Sequence, residues 1–156
     1  MINHLFSDTK PFDLERTLED VTATNSLACA VAQYAKAGQV LALWGDLGVG
    51  KTTFARAFIR QLTHDDQIVA SPTYTLIQTY SGPGYEIWHI DLYRLQNTDE
   101  LLELGLEEAI GEALCLIEWP ERMGMYLPHH RVDIGFGFHE TCDQAREVRI
   151  RTSAPF

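Results

Sequence analysis

The sequence predicts an α/β domain built on a mixed sheet, and three observations predict it. Val40–Trp44 and residues 113–117 are continuously apolar, as strands covered on both faces are. A glycine-punctuated loop, 45–50, follows the first of these runs, and a helical stretch, 52–62, follows the loop. Strand, loop and helix in that order open a βαβ unit. Near the C-terminus, 131–138 and 147–151 read as an antiparallel strand pair. The chain of 156 residues is expected to form one domain, 1–156, large enough to bury a core without a disulfide or metal.

Taken along the chain, 13–18 is a weak candidate strand. Thr24 can cap a helix starting at Asn25, since its hydroxyl can accept a backbone N–H of the first turn. Leu27, Ala28, Val31 and Ala32 form the apolar face of that helix, and Gly38 is its expected left-handed stop. After the loop Ser71-Pro72-Thr73, residues 73–80 read as a short strand. Ser81-Gly82-Pro83-Gly84 is a turn signal, and 85–91 is the strand that follows. Asn97 and Glu100 stand in capping-box spacing, and Gly105 is expected to split the helical stretch beyond them. That stretch keeps an apolar side of Leu101, Leu102, Leu104, Leu106 and Ile110.

Charge narrows the function classes. Twelve Lys and Arg stand against 22 Asp and Glu, a formal net charge of −10. Binding to a polyanion is driven by a basic face, and this chain has three lysines, Lys10, Lys36 and Lys51. Residues 99–118 hold seven carboxylates and no Lys or Arg. Independent binding of nucleic acid is therefore not expected, and a basic protein partner is. Cys29, Cys115 and Cys142 are distant and unpaired in pattern, as in a reduced compartment. No apolar run reaches the roughly 18 residues of a membrane span, and residues 1–6 lack the pattern of a secretory signal.

Gly45-Asp46-Leu47-Gly48-Val49-Gly50-Lys51-Thr52 matches G-x-x-x-x-G-K-[ST] at every position, between a buried strand and a helix. Glycines let successive backbone N–H groups face a phosphate chain, and the helix adds its positive end. Lys51 supplies a cation to the β- and γ-phosphates, and the Thr52 hydroxyl can ligate Mg2+. Guanine specificity would call for an N/T-K-x-D segment, but no lysine follows Lys51, so ATP is the expected nucleotide. Such a loop needs an acid at a neighbouring strand end. Asp91 ends one candidate strand and Glu118 ends another, the latter in the four-apolar-then-acid form. Thr73 lies where a switch hydroxyl would sense the γ-phosphate. His89, His129 and His130 do not fall at metal-ligand spacing and read as solvated or internally satisfied.

Four motifs occur in series: Gly-Asp-Leu-Gly-Val-Gly-Lys-Thr-Thr (45–53), Ser-Pro-Thr-Tyr-Thr-Leu (71–76), His-Ile-Asp-Leu-Tyr-Arg-Leu (89–95) and Leu-Ile-Glu-Trp-Pro-Glu-Arg (116–122). From about Leu18 to Arg151 the chain resembles the TsaE (YjeE) family of small bacterial ATPases. The resemblance implies a P-loop NTPase fold in three layers, its mixed sheet mainly parallel with an antiparallel C-terminal pair. It also implies a cytoplasmic, Mg2+-dependent ATPase required for threonylcarbamoylation of adenosine 37 in tRNAs that read codons beginning with A. TsaB and TsaD are the implied partners. TsaD makes the transfer, tRNA is met only through the partners, and the ATPase drives or resets the pair. By the same resemblance Gly45, Asp46, Leu47, Gly48, Val49, Gly50, Lys51, Thr52, Thr53 and Thr73 hold the nucleotide. Val21 and Arg146 border its adenine end. Thr52 and Glu118 ligate the metal, Lys51, Asp91 and Glu118 serve catalysis, and Trp119 shapes the site.

Two other readings use the same loop. A small P-loop kinase would need lid arginines, yet Arg122 and Arg131 are the sole Lys or Arg residues between Arg94 and Arg146. An ATP-gated binding subunit would need nucleotide but not its hydrolysis. Arg94 and Arg122 are the motif-borne arginines nearest Thr73.

Overall fold

The structure, a computed structural model, describes residues 12–152; the N-terminal stretch read for a signal lies outside them. Seven strands form one sheet in the order β1-β7-β6-β2-β5-β4-β3. They are β1 (Phe12–Leu18), β2 (Val40–Trp44), β3 (Ile77–Ser81), β4 (Glu86–Asp91), β5 (Leu114–Glu118), β6 (Val132–Phe138) and β7 (Arg146–Thr152). β6, β2, β5 and β4 run parallel. β7 is antiparallel to both β6 and β1, and β3 is antiparallel to β4. The predicted α/β class and the antiparallel C-terminal pair are both present.

Helices cover both faces, which is why β2 and β5 are apolar on both. α1 (Val21–Ala32) and α2 (Lys51–Leu62) pack together on one face. There Phe54 and Phe58 meet Leu41, Leu43, Leu116 and Ile134. The other face is covered by α3 (Glu100–Glu103), α4 (Leu106–Ala109) and a 3₁₀ helix, Pro120–Tyr126. Leu101, Leu106 and Met123 there meet Ile90, Cys115 and Ile117. Successive residues of one strand thus feed opposite cores, as the pleat requires. All three cysteines are free, and burial pushes the Cys115 thiol up to about 12. Among the described residues no helix is long and apolar enough to cross a membrane.

Some boundaries differ from expectation. α1 begins four residues before Asn25, because Asp20 rather than Thr24 caps it. The Asp20 carboxylate accepts the Ala23 N–H at 2.8 Å, and the Asp20 carbonyl accepts the Thr24 N–H. Thr24 is instead buried within the helix. α1 also ends at Ala32, well before Gly38. Gly38, at φ +81°, serves the approach to β2, where a Cβ would lie 2.8 Å from the Gly111 carbonyl oxygen. β3 starts at Ile77 rather than Thr73, because the Leu76 N–H closes a turn onto the Pro72 carbonyl at 2.7 Å. Glu100 accepts the Asn97 N–H and the Asn97 side chain accepts the Asp99 N–H, but these bonds close the turn ahead of α3, whose own cap residue, Asp99, makes no side-chain cap bond. Gly105, at φ +74°, divides α3 from α4 as predicted.

Asp20→Ala removes the only side-chain acceptor seen at the start of α1 and is expected to cost about 1 kcal/mol. Urea denaturation measures it; the same loss on Thr24→Val, with Asp20→Ala neutral, would return the cap to Thr24.

Candidate active site

The site forms where β2, β4 and β5 end, along one edge of the parallel part of the sheet. Ligands of open α/β sheets bind at the carboxyl ends of strands. β2 stops at Trp44 and the chain turns at Gly45, whose φ is +139°. A Cβ at Gly45 would lie 2.6 Å from the Phe136 carbonyl oxygen on β6, so the loop leaves the sheet where a side chain cannot fit. Gly50, at φ +118°, turns the chain into α2. No side chain caps α2 and its first turn holds no acid, so its free N–H groups and positive end face the loop.

Lys51, only 5% exposed, folds back over this loop. Its ammonium donates to the carbonyls of Gly45 and Asp46 and stands 3.7 Å from the centre of the Trp119 ring. Burial lowers the Lys51 pKa below the usual lysine value, opposed by the carboxylates of Glu118, Glu121, Asp91 and Asp46.

The acids face this cation from two strands. Sheet register pairs Asp91 directly with Glu118. Glu118 is the last residue of β5 itself and is 2% exposed. Its Oε1 accepts the Thr52 hydroxyl at 2.8 Å, and its Oε2 lies 2.7 Å from His89 Nε2. Asp91, 3% exposed, accepts the Thr73 hydroxyl at 3.0 Å and the Tyr93 N–H at 2.9 Å. Ser71 Oγ lies 2.7 Å from Thr73 Oγ1. A cavity of about 220 Å³ opens among these groups, with Leu47, Gly48, Gly50, Thr52 and Thr53 on one side and Thr73, Asp91, Glu118 and Trp119 on the other. Trp119 adopts the left-handed conformation, φ +59° and ψ +50°, ahead of Pro120. A bulky residue held there carries about 1–3 kcal/mol of strain. Its neighbours are the Tyr93 ring, with centroids 5.0 Å apart, and Lys51.

The remaining predicted residues lie around this centre. Gly45, Asp46 and Val49 belong to the loop but do not line the cavity, and Arg146 braces the loop by donating to the Val49 carbonyl at 2.9 Å. Arg146 also donates to the Asp143 and Ala145 carbonyls. Val21, exposed at the start of α1, borders a separate groove that shares Thr53 with this cavity. Arg94 stacks on Tyr74 at 4.1 Å, beside Thr73, whereas Arg122 donates to the Leu95 carbonyl.

His89 belongs to the site, whereas its sequence context reads as a solvated or internally satisfied histidine. It is fully buried, and its Nδ1 has no hydrogen-bond partner. The available signal was strand alternation: His89 is two residues before Asp91, so both project from the same face of β4.

The chain as a whole is similar to known proteins. The family model described as "Threonylcarbamoyl adenosine biosynthesis protein TsaE" matches residues 18–148. The chain belongs to the TsaE family. It is 43% identical over 111 residues to the tRNA threonylcarbamoyladenosine biosynthesis protein TsaE of Rickettsia bellii, covering 71% of this chain and 77% of that one. It is 42% identical over 112 residues to the TsaE protein of Bacillus subtilis, covering 71% and 69%. Against the Rickettsia conorii relative, 44% identical, it spans 67% of this chain and 60% of that protein. The crystal structure of Bacillus subtilis YdiB superimposes with a TM-score of 0.74 at 30% identity, over 93% of this chain and 88% of that one. This TsaE-family chain is thereby tied to the biosynthesis of threonylcarbamoyladenosine in tRNA, on an α/β fold whose sheet is parallel at its centre.

His89→Ala leaves a buried carboxylate oxygen of Glu118 without its partner and is expected to lose roughly 1–3 kcal/mol of stability. His89→Gln, which can still donate, is expected to recover part of it. Equal denaturation midpoints for His89→Ala and the wild-type chain would exclude the bond.

Proposed function

We propose that the chain is a Mg2+-dependent ATPase that serves threonylcarbamoyladenosine synthesis by acting on a TsaB–TsaD pair in the cytoplasm. The observation that carries this reading is the convergence of Lys51, Thr52, Asp91 and Glu118 on one cavity at the end of the parallel strands. A phosphate chain entering it meets the positive end of α2 and the Lys51 ammonium, which then exchanges backbone carbonyls for phosphate oxygens. Lys51 thus gives its charge where negative charge accumulates, and the buried setting strengthens that attraction.

The donor set fits magnesium. The Thr52 hydroxyl and the Glu118 carboxylate are hard oxygen donors already 2.8 Å apart, beside the loop. They would hold the ion, which would neutralise negative charge on the phosphates. Glu118 has both oxygens committed, to Thr52 and to His89, which suits a fixed ligand. Asp91 faces the same cavity from β4 and is positioned by Thr73 and Tyr93, so it takes the role of orienting the attacking water. Thr73 joins the acid to the 71–76 loop, so any partner that settles this loop also settles Asp91. No second-substrate site is assigned. Arg56 and Arg60, which flank the neighbouring groove, donate their Nε–H groups to the Val69 and Gln67 carbonyls, which disfavours a kinase. Contact with tRNA falls to the partners, in keeping with the net charge of −10.

Lys51→Ala is expected to reduce hydrolysis roughly 10²–10³-fold. It should leave the fold intact, because the mutation removes a buried ammonium rather than core packing. Asp91→Asn should bind ATP and hydrolyse it slowly, whereas Glu118→Gln should weaken the response to magnesium as well. Steady-state hydrolysis with a magnesium titration separates them, and near-normal rates in all three would discard the assignment. The wild-type rate is expected to be slow alone and to rise with added TsaB–TsaD. A flat titration would remove the partner coupling.

A further inference from the structure

A hollow of about 440 Å³ lies on the face opposite α1 and α2, between α3, α4 and the 3₁₀ helix. Its walls are Leu101, Leu102, Leu106, Ile110, Met123 and Tyr126. Leu102 is 49% exposed here, although the periodicity of the stretch assigns it to the apolar side. Met125, on the same 3₁₀ segment, is 90% exposed. Glu107 stands in the wall itself and Asp99 and Glu103 are exposed on the same stretch, whereas Glu108 and Glu112 line a separate hollow beside Glu86 and Trp88. No Lys or Arg occurs between residues 99 and 118 to offset them.

We propose that this hollow is the docking site for a basic amphipathic helix of a protein partner. The walls are helical, and an amphipathic helix seats its i, i+3/i+4 and i+7 side chains in such a groove. Lys and Arg at the edges of that helix meet the acidic rim, which mainly speeds association and fixes orientation. The same rim repels anionic lipid surfaces and nucleic acid. It also repels a second copy of this chain, whose net charge is −10.

The hollow adjoins the active site through both of its walls. The segment leading to α3 leaves β4 directly after Asp91, and the 3₁₀ helix begins directly after Glu118 and Trp119. The two segments are tied where the Leu92 N–H donates to the Glu118 carbonyl and Arg122 donates to the Leu95 carbonyl, at 3.1 and 3.3 Å. A helix seated between them bears on the connections that carry both acids. This part of the inference rests on the ATPase reading above; the docking surface itself does not.

The test uses the full chain, with purified TsaB–TsaD as the probe in calorimetric titrations. Leu102→Glu and Glu107→Lys alter exposed positions outside the nucleotide site. Each is expected to raise the Kd at least tenfold at low salt while unstimulated ATP hydrolysis stays within twofold of wild type. Glu107→Lys should also flatten the salt dependence of binding. Wild-type Kd values for both variants would overturn the docking site and leave the ATPase reading standing. Failure of the wild-type chain to bind the pair would overturn the proposed partner, and this surface with it. Self-association of the chain in sedimentation, abolished by Leu102→Glu, would give the hollow to a second copy and overturn the proposal.

Discussion

The carboxylate of Glu118 is the point on which the site turns. A carboxylate this deeply buried needs hydrogen-bond donors in place of the water it has lost. Here Thr52 of α2 holds one oxygen and His89 of β4 faces the other, while the residue itself ends β5. One side chain therefore joins three elements. Its place is set by backbone pairing, since β5 lies between β2 and β4 and its last residue faces Leu43 on one side and Asp91 on the other. An acid at the end of that strand has to stand beside the loop that follows β2.

The rest of the site follows from how the chain leaves those strands. Gly45 passes the β6 backbone too closely for a side chain, and Gly50 turns into α2 with a positive φ. The helix consequently presents its free N–H groups to the same cavity that Glu118 and Asp91 border. Trp119 is held in a conformation that bulky residues avoid, between Tyr93 and Lys51. Strain of this kind is retained where surrounding contacts over-determine it. Its position directly after Glu118 ties the acid to the 3₁₀ helix and so to the opposite face of the sheet.

Much of this was legible before the fold was seen, for definite reasons. Continuous apolar runs marked β2 and β5 because both are covered on two faces. The glycine loop after β2 was legible because its turns demand those residue types locally, and the places of Asp91 and Glu118 because each ends a run. What was missed depends on choices between equivalent local signals or on contacts across the sheet. Asp20 and Thr24 are both competent caps, and the β-branched residues Val21, Thr22 and Thr24 disguised the first turn of α1. The late start of β3 comes from a turn around Thr73 that sequence alone reads as strand. His89 acquires its role only because β4 and β5 are adjacent, a pairing that no local pattern states. The bond from the Arg146 guanidinium to the Val49 carbonyl likewise joins residues far apart in the chain, which no local pattern states.

The central claim is that Thr52 and Glu118 act as one unit joining the phosphate loop to the sheet. A double-mutant cycle with Thr52→Val and Glu118→Gln, read as magnesium-dependent ADP affinity, tests it most directly. Residues that share one function are non-additive, with coupling of about 0.5–3 kcal/mol. The account predicts a double variant scarcely weaker than the worse single variant. Losses that simply add would contradict it.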